Sequence, residues 1–264
     1  MPSWFSRFIS PLVSFSGRCV VCRKPLRPQE RDICTCCLSQ LPLTHLSDHE
    51  ENILEKYFWG KIPVVHASAL FIYYQGADSH MILRNLKYGH QPSVGITLGR
   101  VMATYLADTS FFDSVDAIVA VPLAGDRQRH RGYNQAECLA KGIQEITRLP
   151  IVSEGIVRHI SNKSQTRLSH AERYQNVDGI FKVELPERFY GKHILLVDDV
   201  VTSTATLTSL ARAFGEGHHT RFSILTLAMA SSITETPYYR VDNREDMENR
   251  EGEVYMPDDR YDDF

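Results

Sequence analysis

The chain has 264 residues, of which 43% are hydrophobic, and a formal net charge of −3 at pH 7. A chain of this size can bury one substantial core with a small appendage, and no apolar run is long enough to span a membrane. Residues 235–264 hold eleven Asp and Glu against four Arg, so this tail carries −7 and the remaining chain carries +4. These numbers exclude a membrane-spanning protein, and they permit a polyanionic partner without requiring one.

The N-terminal segment, residues 1–19, is apolar only in patches, which Ser6, Arg7, Ser10 and Pro11 interrupt. It shows no small-residue cleavage site, so the pattern favours an amphipathic packing segment over a secretory signal. Nothing in the segment indicates secretion, and a cytoplasmic location is expected.

Four of the six cysteines form two Cys-x-x-Cys pairs with eleven residues between them: Cys19, Cys22, Cys34 and Cys37. Two such pairs can complete a tetrahedral site, and so small a segment would take its folding free energy from the metal. A disulfide framework fits poorly without a secretory signal, and a redox Cys-x-x-Cys would stand beside a βαβ unit. We therefore predict a closed, structural zinc site in a module at residues 1–45, with Cys36 as a competing ligand.

Predicted strands and helices alternate after a polar connector at residues 42–60. The strands are predicted at 64–74, 116–123, 193–197 and 221–230, and the helices at 79–89, 98–106, 136–143 and 207–214. This alternation predicts an α/β domain at residues 60–234, with a parallel sheet flanked by helices. The acidic tail, 235–264, is expected to be disordered or loosely docked, as a solubilising extension or as an intramolecular mimic of an anionic ligand.

The chain contains two basic segments that could contact an anion. Arg127, Arg129 and Arg131 come just after the strand at 116–123, and guanidinium groups suit phosphate or pyrophosphate oxygens. Asn134 can cap the helix that begins after this cluster. Residues 158–181 are hydrophilic and contain further basic side chains that can contact a polyanion. In both segments the alternative is an exposed surface without a ligand.

Residues 193–207 combine a buried strand, an acidic pair and a small polar loop. Asp198 and Asp199 stand where the apolar strand 193–197 should end. Hydroxyl-bearing and small residues follow and lead into a helix: Thr202, Ser203, Thr204, Ala205 and Thr206. Such a helix start favours a phosphate, and the carboxylates can face ribose hydroxyls or Mg²⁺. The alternative is an acidic strand end before an ordinary capped helix.

This stretch resembles the 5-phosphoribosyl-1-pyrophosphate (PRPP) binding motif of type I phosphoribosyltransferases. The resemblance implies that Asp198 and Asp199 hold the ribose, and that the loop 202–206 wraps the 5′-phosphate, with Val200 also beside the substrate. The family usually has glycine at the position of Thr204. Because glycine allows close backbone approach and positive φ, threonine is expected to narrow the loop or to weaken phosphate binding.

Further motifs, in the same order, resemble the ComF/GntX family of phosphoribosyltransferase-like proteins. They are the N-terminal Cys₄ knuckle, Lys87-Tyr88-Gly89, a strand ending in Val-Pro, the run RGYNQA at 131–136 and the segment QTRLSHAERYQN at 165–176. The resemblance runs from about Arg18 to Ala230, and it departs from the family at Thr204 and at Ala124-Gly125. It implies a type I phosphoribosyltransferase-like parallel sheet with a small N-terminal zinc knuckle. It also implies Mg²⁺ bound with PRPP, and substrate contacts from Lys87, Arg127, Arg131 and Asn134.

Three functions are compatible with this resemblance. The first, which we predict, is a role in DNA uptake through a PRPP-type site, with single-stranded DNA or DNA-uptake proteins as partners; Tyr88, Tyr133 and Tyr174 are candidate stacking residues. The second is an active phosphoribosyltransferase, in which Asp198 and Asp199 are catalytic and no residue identifies the acceptor base. The third is a regulator that senses PRPP.

Overall fold

The structure, a computed structural model, describes residues 17–49, 51–74, 78–125, 129, 131–158, 180–215 and 219–234. The helices are α1 (Thr35–Ser39), α2 (Ile53–Phe58), α3 (Asp78–Tyr88), α4 (Pro92–Tyr105), α5 (Gln135–Thr147), α6 (Ala205–Ala213) and α7 (Ser231–Thr234). The strands are β1 (Val64–Tyr73), β2 (Ala117–Ala120), β3 (Ile156–Arg158), β4 (Phe181–Val183), β5 (His193–Val201) and β6 (Arg221–Ala230). Within these ranges, no helix has the length and apolar character needed to cross a membrane.

Four parallel strands form the central sheet, in the order β1-β6-β5-β2. In the middle of the sheet, β5 pairs with β2 on one side and with β6 on the other. Because all the pairings are parallel, the carboxyl ends of the four strands meet at one edge of the sheet. Strands β3 and β4 form a separate antiparallel ribbon.

Helices cover both faces of the central sheet. Leu195 and Val197 of β5 belong to the apolar cluster that contains α3, α4, α5 and the cysteine module. Ile194 and Leu196 belong to the cluster that contains α2, α6 and the β3–β4 ribbon. This alternation explains why β5 is apolar at successive positions. The predicted parallel sheet flanked by helices, with a small N-terminal cysteine module, is confirmed.

Two strand ends differ from the prediction. The expectation that the central strand stops at Val197 is wrong, because β6 continues to pair with β5 as far as the Val201–Met229 match. Strand β2 is shorter than predicted, although its neighbouring residue Val121 still donates from its N–H to the Val197 carbonyl (2.9 Å). The next residue, Pro122, has no N–H and cannot continue the ladder.

Helix α2 lies inside the predicted polar connector. It begins with a capping box, in which the Asn52 side chain accepts from the N–H groups of Leu54 and Glu55, and the Glu55 carboxylate accepts from the N–H of Asn52. The reciprocal bonds satisfy backbone donors that would otherwise be unpaired. The structure thus adds a short, well-capped helix where the sequence analysis predicts a connector.

The cysteine module packs on α3 and α4 as part of the same core. Cys19, Val20 and Ile33 are buried in the cluster that includes these helices. The Asp32 carboxylate accepts from the Ser93 hydroxyl (2.8 Å) and the Thr97 hydroxyl (2.7 Å) of α4. The domain boundaries themselves remain predictions, and residues 1–16 and the tail 235–264 lie outside the described residues.

Candidate functional site

The acidic pair lies near the carboxyl end of β5, at the edge where the loops after the parallel strands meet. Asp198 and Asp199 are both partly exposed, and Asp198 is matched with Thr226 of β6. The Asp198 carboxylate accepts a hydrogen bond from the backbone N–H of Asp199 (2.9 Å). The two carboxylates are therefore held by the strand rather than by a mobile loop, which preorganises them toward a ligand.

The two carboxylates differ in their electrostatic surroundings. Burial, and then the charge of Asp199, raise the pKa of Asp198 to about 8, while the nearby charges of Lys87 and Arg158 act in the opposite direction. Asp199 lies 3.5 Å from the ammonium group of Lys87, and both side chains are less than one-fifth exposed. Asp199 thus has a cation beside it, whereas ionisation of Asp198 is opposed by its burial and by the negative charge of Asp199.

Lys87, which the resemblance places beside the substrate, lies in the last turn of α3. Its contact with Asp199 joins the Lys-Tyr-Gly segment to the acidic pair, two regions that are 112 positions apart in the chain. The structure therefore brings together the Lys87 and Asp199 side chains that the sequence analysis assigned to one site.

The predicted phosphate loop, residues 202–206, leads from β5 into α6. Thr202 and Ser203 are exposed, Thr204 is 1% exposed, and Ala205 and Thr206 form the first turn of α6. Thr204 is the N-cap residue, yet its side chain makes no capping bond, so the first N–H groups of α6 receive no bond from it. Exposed hydroxyls beside a helix N-terminus form an arrangement that favours an anion.

Lys61 approaches the same loop from the turn after α2. Its ammonium group donates to the Thr204 hydroxyl (3.0 Å) and to the Tyr57 carbonyl (2.8 Å). The sequence analysis missed Lys61, because it comes directly after the polar connector without a motif around it. It also treated Arg158 only as a member of a basic segment, although the charge of Arg158 acts on Asp198.

The basic loop after β2 contributes Arg131 to the region. Its guanidinium carbon lies 5.4 Å from the centre of the Tyr88 ring, and its Nη1 donates to the Gln135 amide oxygen (3.2 Å). Tyr88 is 47% exposed and directly follows Lys87. Arg127 lies outside the described residues. The exposed Tyr88 ring and the partly exposed Arg131 thus form a cation–π pair, and Tyr88 is the chain neighbour of Lys87.

Asn134 is buried and caps α5, as predicted. Its side-chain oxygen accepts from the N–H of Ala136 (3.0 Å), and its amide nitrogen donates to the Val121 carbonyl (3.0 Å). The hydroxyl of the adjacent Tyr133 donates to the Leu86 carbonyl (2.5 Å). Both side chains fix the start of α5 against the ends of β2 and α3.

The four cysteines of the two pairs gather into a site that can hold a zinc ion. Their sulfur atoms lie within 4.8 Å of one another, with Cys19–Cys37 and Cys22–Cys34 separations of 3.8 and 3.7 Å. Sulfurs bound at 2.3 Å to one tetrahedral ion are about 3.8 Å apart, so these spacings fit zinc. Cys36 is exposed and is not among the four. The predicted ligand set therefore comes together without it.

Backbone hydrogen bonds prepare one of these thiols for metal binding. Burial raises the pKa of Cys19, but the N–H groups of Cys34, Cys22 and Val21 outweigh this and lower it to about 7. The Cys34 N–H lies 3.4 Å from the Cys19 sulfur. Zinc is bound by the thiolate, so a Cys19 that loses its proton near neutral pH is suited to be a ligand.

The fold and the cysteine site define an α/β protein with a parallel sheet and a four-cysteine cluster that can hold a metal ion. The chain is 26% identical to DNA utilization protein YhgH of Escherichia coli K12, over 76% of this chain and 92% of that protein. It is 27% identical to Competence protein F of Haemophilus influenzae, over 75% of this chain and 90% of that protein. It is also 30% identical to Competence protein ComFC of Bacillus subtilis over 99 residues, 38% of either chain. These relatives support a ComF-type family for this chain, as the motifs predict.

No family model matches the chain. Among solved structures it is similar to the allosteric regulatory enzyme of purine biosynthesis, with 18% identity and a TM-score of 0.34 over 53% of this chain. It is similar to the glutamine PRPP amidotransferase of B. subtilis at 21% identity, with the same TM-score and coverage. The chain spans less than a third of either protein. At these TM-scores the likeness carries no argument, and the parallel sheet flanked by helices follows from the strand order and packing described above.

Proposed function

We propose that this chain is a ComF-type protein that binds PRPP together with Mg²⁺ and acts in DNA uptake in the cytoplasm. The observation that carries the proposal is the acidic pair beside Lys87, next to the phosphate loop. Carboxylates of Asp198 and Asp199 suit the ribose hydroxyls, and the N–H groups at the start of α6 suit the 5′-phosphate. The names of the relatives support the role in DNA uptake, since they include competence and DNA utilization proteins.

The charges around the acidic pair support a divalent cation in the bound state. Two adjacent carboxylates, one of which has its pKa raised to about 8, resist full ionisation together. Mg²⁺ takes carboxylate and phosphate oxygens as ligands and usually enters with its phosphate substrate. Asp198 and Asp199 would hold the cation and the ribose, and Lys87 would contact an anionic group of the ligand.

Calorimetric titration of the zinc-loaded wild-type protein tests the ligand and the cation. We expect PRPP to bind with Mg²⁺ and to bind much more weakly when the cation is removed with EDTA. Ribose 5-phosphate should bind without a strong need for Mg²⁺, because it lacks the pyrophosphate. Absence of PRPP binding under both conditions would refute the proposal. Release of pyrophosphate when a nucleobase is added would instead identify an active phosphoribosyltransferase.

Single-stranded DNA is the partner that the exposed Tyr88–Arg131 pair favours. An exposed aromatic ring can stack on a base, and an adjacent guanidinium can neutralise a phosphate. Of the other two predicted stacking residues, Tyr133 uses its hydroxyl on the Leu86 carbonyl, and Tyr174 lies outside the described residues. Tyr88 is therefore the residue through which DNA binding is best tested.

Fluorescence anisotropy of a labelled single-stranded oligonucleotide measures that binding. We expect wild-type affinity to fall as salt rises, and Tyr88→Ala to weaken it about tenfold, the loss typical of one stacked base. Tyr190→Ala is the matched control, because Tyr190 is equally exposed (49%) but precedes the amino end of β5. Equal affinity of the two variants would argue against stacking at Tyr88.

A further inference from the structure

Lys61 is a partly buried ammonium group that pairs with no carboxylate among the described residues. Its described contacts are the Thr204 hydroxyl, the Tyr57 carbonyl and the Tyr57 ring, whose centre is 4.8 Å from the nitrogen. Among the described residues it forms no ion pair. An ammonium has three donors, and two are used by these oxygens, so one remains for a further acceptor.

The charge of Lys61 lies beside the N-terminus of α6. Thr204 immediately precedes α6, and the N-terminus of a helix carries a partial positive charge of its own. The protein therefore places a cation beside a positive helix end, and burial lowers the pKa of Lys61. Two positive charges close together repel each other, so an anion bound beside both would stabilise this arrangement.

We infer that Lys61 is a positioning residue of the phosphate loop, which orients Thr204 and provides positive charge for a phosphate monoester bound at the start of α6. This inference rests on the proposed function and deepens it, because it adds Lys61, through its contact with Thr204, to the residues that would hold the 5′-phosphate. The pyrophosphate is then left for the opposite side of the acidic pair, toward Lys87.

The same contact explains how the loop accommodates threonine. Thr204 has φ −75° and ψ −11°, a conformation that any L-residue adopts, so the backbone does not require glycine. Its hydroxyl accepts from Lys61, which leaves the hydroxyl hydrogen to donate elsewhere. The threonine is therefore a partner of Lys61, and a glycine at this position would leave the lysine with one contact fewer.

Three variants test the inference by calorimetry with ribose 5-phosphate and inorganic pyrophosphate as separate probes. Lys61→Met removes the charge and keeps the length, and it should weaken ribose 5-phosphate binding about tenfold or more, the effect of losing a hydrogen bond or charge next to a phosphate. Lys61→Arg keeps the charge and should retain most of the affinity. Lys141→Met, an exposed lysine on α5, is the control and should change nothing. Pyrophosphate binding should change little in all three variants.

Thermal stability without ligand, measured beside affinity, distinguishes this role from a merely structural one. If Lys61 acts only in the fold, Lys61→Met should be less stable and still bind ribose 5-phosphate as the wild type does, whereas the inferred role lowers the affinity of a variant that remains folded. Thr204→Gly tests the same contact from the other residue. It should weaken ribose 5-phosphate binding, because Lys61 loses its partner, rather than improve it by widening the loop.

The outcomes separate this inference from the proposed function. If the wild type binds PRPP while Lys61→Met and Thr204→Gly bind ribose 5-phosphate as tightly as the wild type, Lys61 has no role in phosphate binding and the inference is wrong. If the wild type binds neither PRPP nor ribose 5-phosphate, the proposed function fails and the inference fails with it. A loss that is equal for ribose 5-phosphate and pyrophosphate would overturn the assignment of the 5′-phosphate to this end.

Discussion

Asp198 and Asp199 are chain neighbours, yet their carboxylates have different electrostatic surroundings. Lys87 stands beside Asp199, and the backbone N–H of Asp199 contacts Asp198. Burial and the adjacent charge raise the pKa of Asp198 to about 8, so without a ligand this carboxyl retains its proton over much of the neutral range. Binding of a cation at the pair would release that proton, which makes the site sensitive to pH.

Asp198→Asn should therefore change how stability depends on pH. The pKa of the folded Asp198 is raised from 3.8 to about 8. Folding thus takes up a proton between these values, and the resulting stabilisation is complete below the lower value and is lost as the pH rises toward the upper one. Asparagine does not titrate, so the variant lacks this pH-dependent contribution to the free energy of unfolding. In urea unfolding at about pH 8, without ligand, the variant should be more stable than the wild type by at least about 1 kcal/mol.

His193 also contributes to the pH dependence of stability, and it is present in both proteins. Burial lowers the pKa of His193, so its contribution is complete above its usual value of 6.5 and is lost as the pH falls. This contribution has the opposite sign, and it is the same in the wild type and in Asp198→Asn. The difference between the two proteins therefore reports on Asp198 alone. Equal slopes from about pH 5 to pH 8 would contradict the raised pKa.

At the scale of single residues, the sequence predicts what lies within one motif. The acidic pair and the phosphate loop are consecutive in the chain, and Lys87 belongs to a recognisable segment. Lys61 could not be predicted in this way, because its contact with Thr204 joins positions 143 apart and neither residue type signals it. Likewise, the sequence predicted that Asn134 caps a helix, but it did not predict that the Asn134 amide nitrogen donates a hydrogen bond to the Val121 carbonyl.

At the scale of elements, the close crossing of α4 and α5 supports the face of the sheet from which Lys87 reaches the site. A methyl group on Gly99 would overlap the Leu139 carbonyl, and one on Gly142 would overlap the Ile96 carbonyl. The two backbones are therefore in direct contact, and larger side chains at these positions would push the helices apart. This contact fixes α5 between α4 and the strands β2 and β5.

Gly99→Ala should destabilise the fold. Alanine is the better helix former, so an effect of propensity alone would stabilise α4 by about 1 kcal/mol. The overlap with backbone atoms of α5 outweighs this, and we expect a net loss of about 1–3 kcal/mol in the free energy of unfolding. Gly17→Ala is the control, because its methyl group would meet only the flexible end of Leu26 (3.3 Å). A Gly99→Ala protein as stable as the wild type would show that the two helices can separate without cost.

The predicted elements are right where the apolar periodicity is strong and uninterrupted. Strand β6 has the predicted bounds, and β1 ends one residue early, since their alternating or continuous apolar runs fit a buried strand. The length of β5 depends on its partner, and pairing with β6 carries it past two aspartates that a strand would not favour. Helix α2 was missed because only six residues form it, although the Asn52–Glu55 capping box is a signal in the sequence.

At the scale of the whole molecule, the cysteine module is continuous with the core. Cys19 and Cys34 are buried in the same cluster as residues of α3, α4 and β5. Asp32 accepts hydrogen bonds from α4, and the Asn85 side chain of α3 donates to the Val20 carbonyl (3.1 Å). A metal ion bound by the four cysteines would stabilise this cluster as well as the module.

Removal of zinc should therefore lower the thermal stability of the entire protein. The free energy of zinc binding is folding free energy for the module, and the module covers apolar surface of α3 and α4. We expect a strong chelator, or Cys22→Ser, to lower the melting temperature of the single transition by several degrees. Cys36→Ser should keep both the zinc content and the melting temperature, because Cys36 is exposed and lies outside the cluster. Loss of zinc from Cys36→Ser would contradict the assigned ligand set.

The most direct test of the central claim is calorimetric titration of PRPP with Mg²⁺ into the protein in which Asp198 and Asp199 are both replaced by Asn. The zinc content should stay at one ion per chain, and an Asp113→Asn protein, changed at an exposed carboxylate, should bind PRPP as the wild type does. We predict that the double variant loses PRPP binding. Unchanged PRPP affinity in a folded, zinc-loaded double variant would contradict the account, because the acidic pair would then have no part in the site.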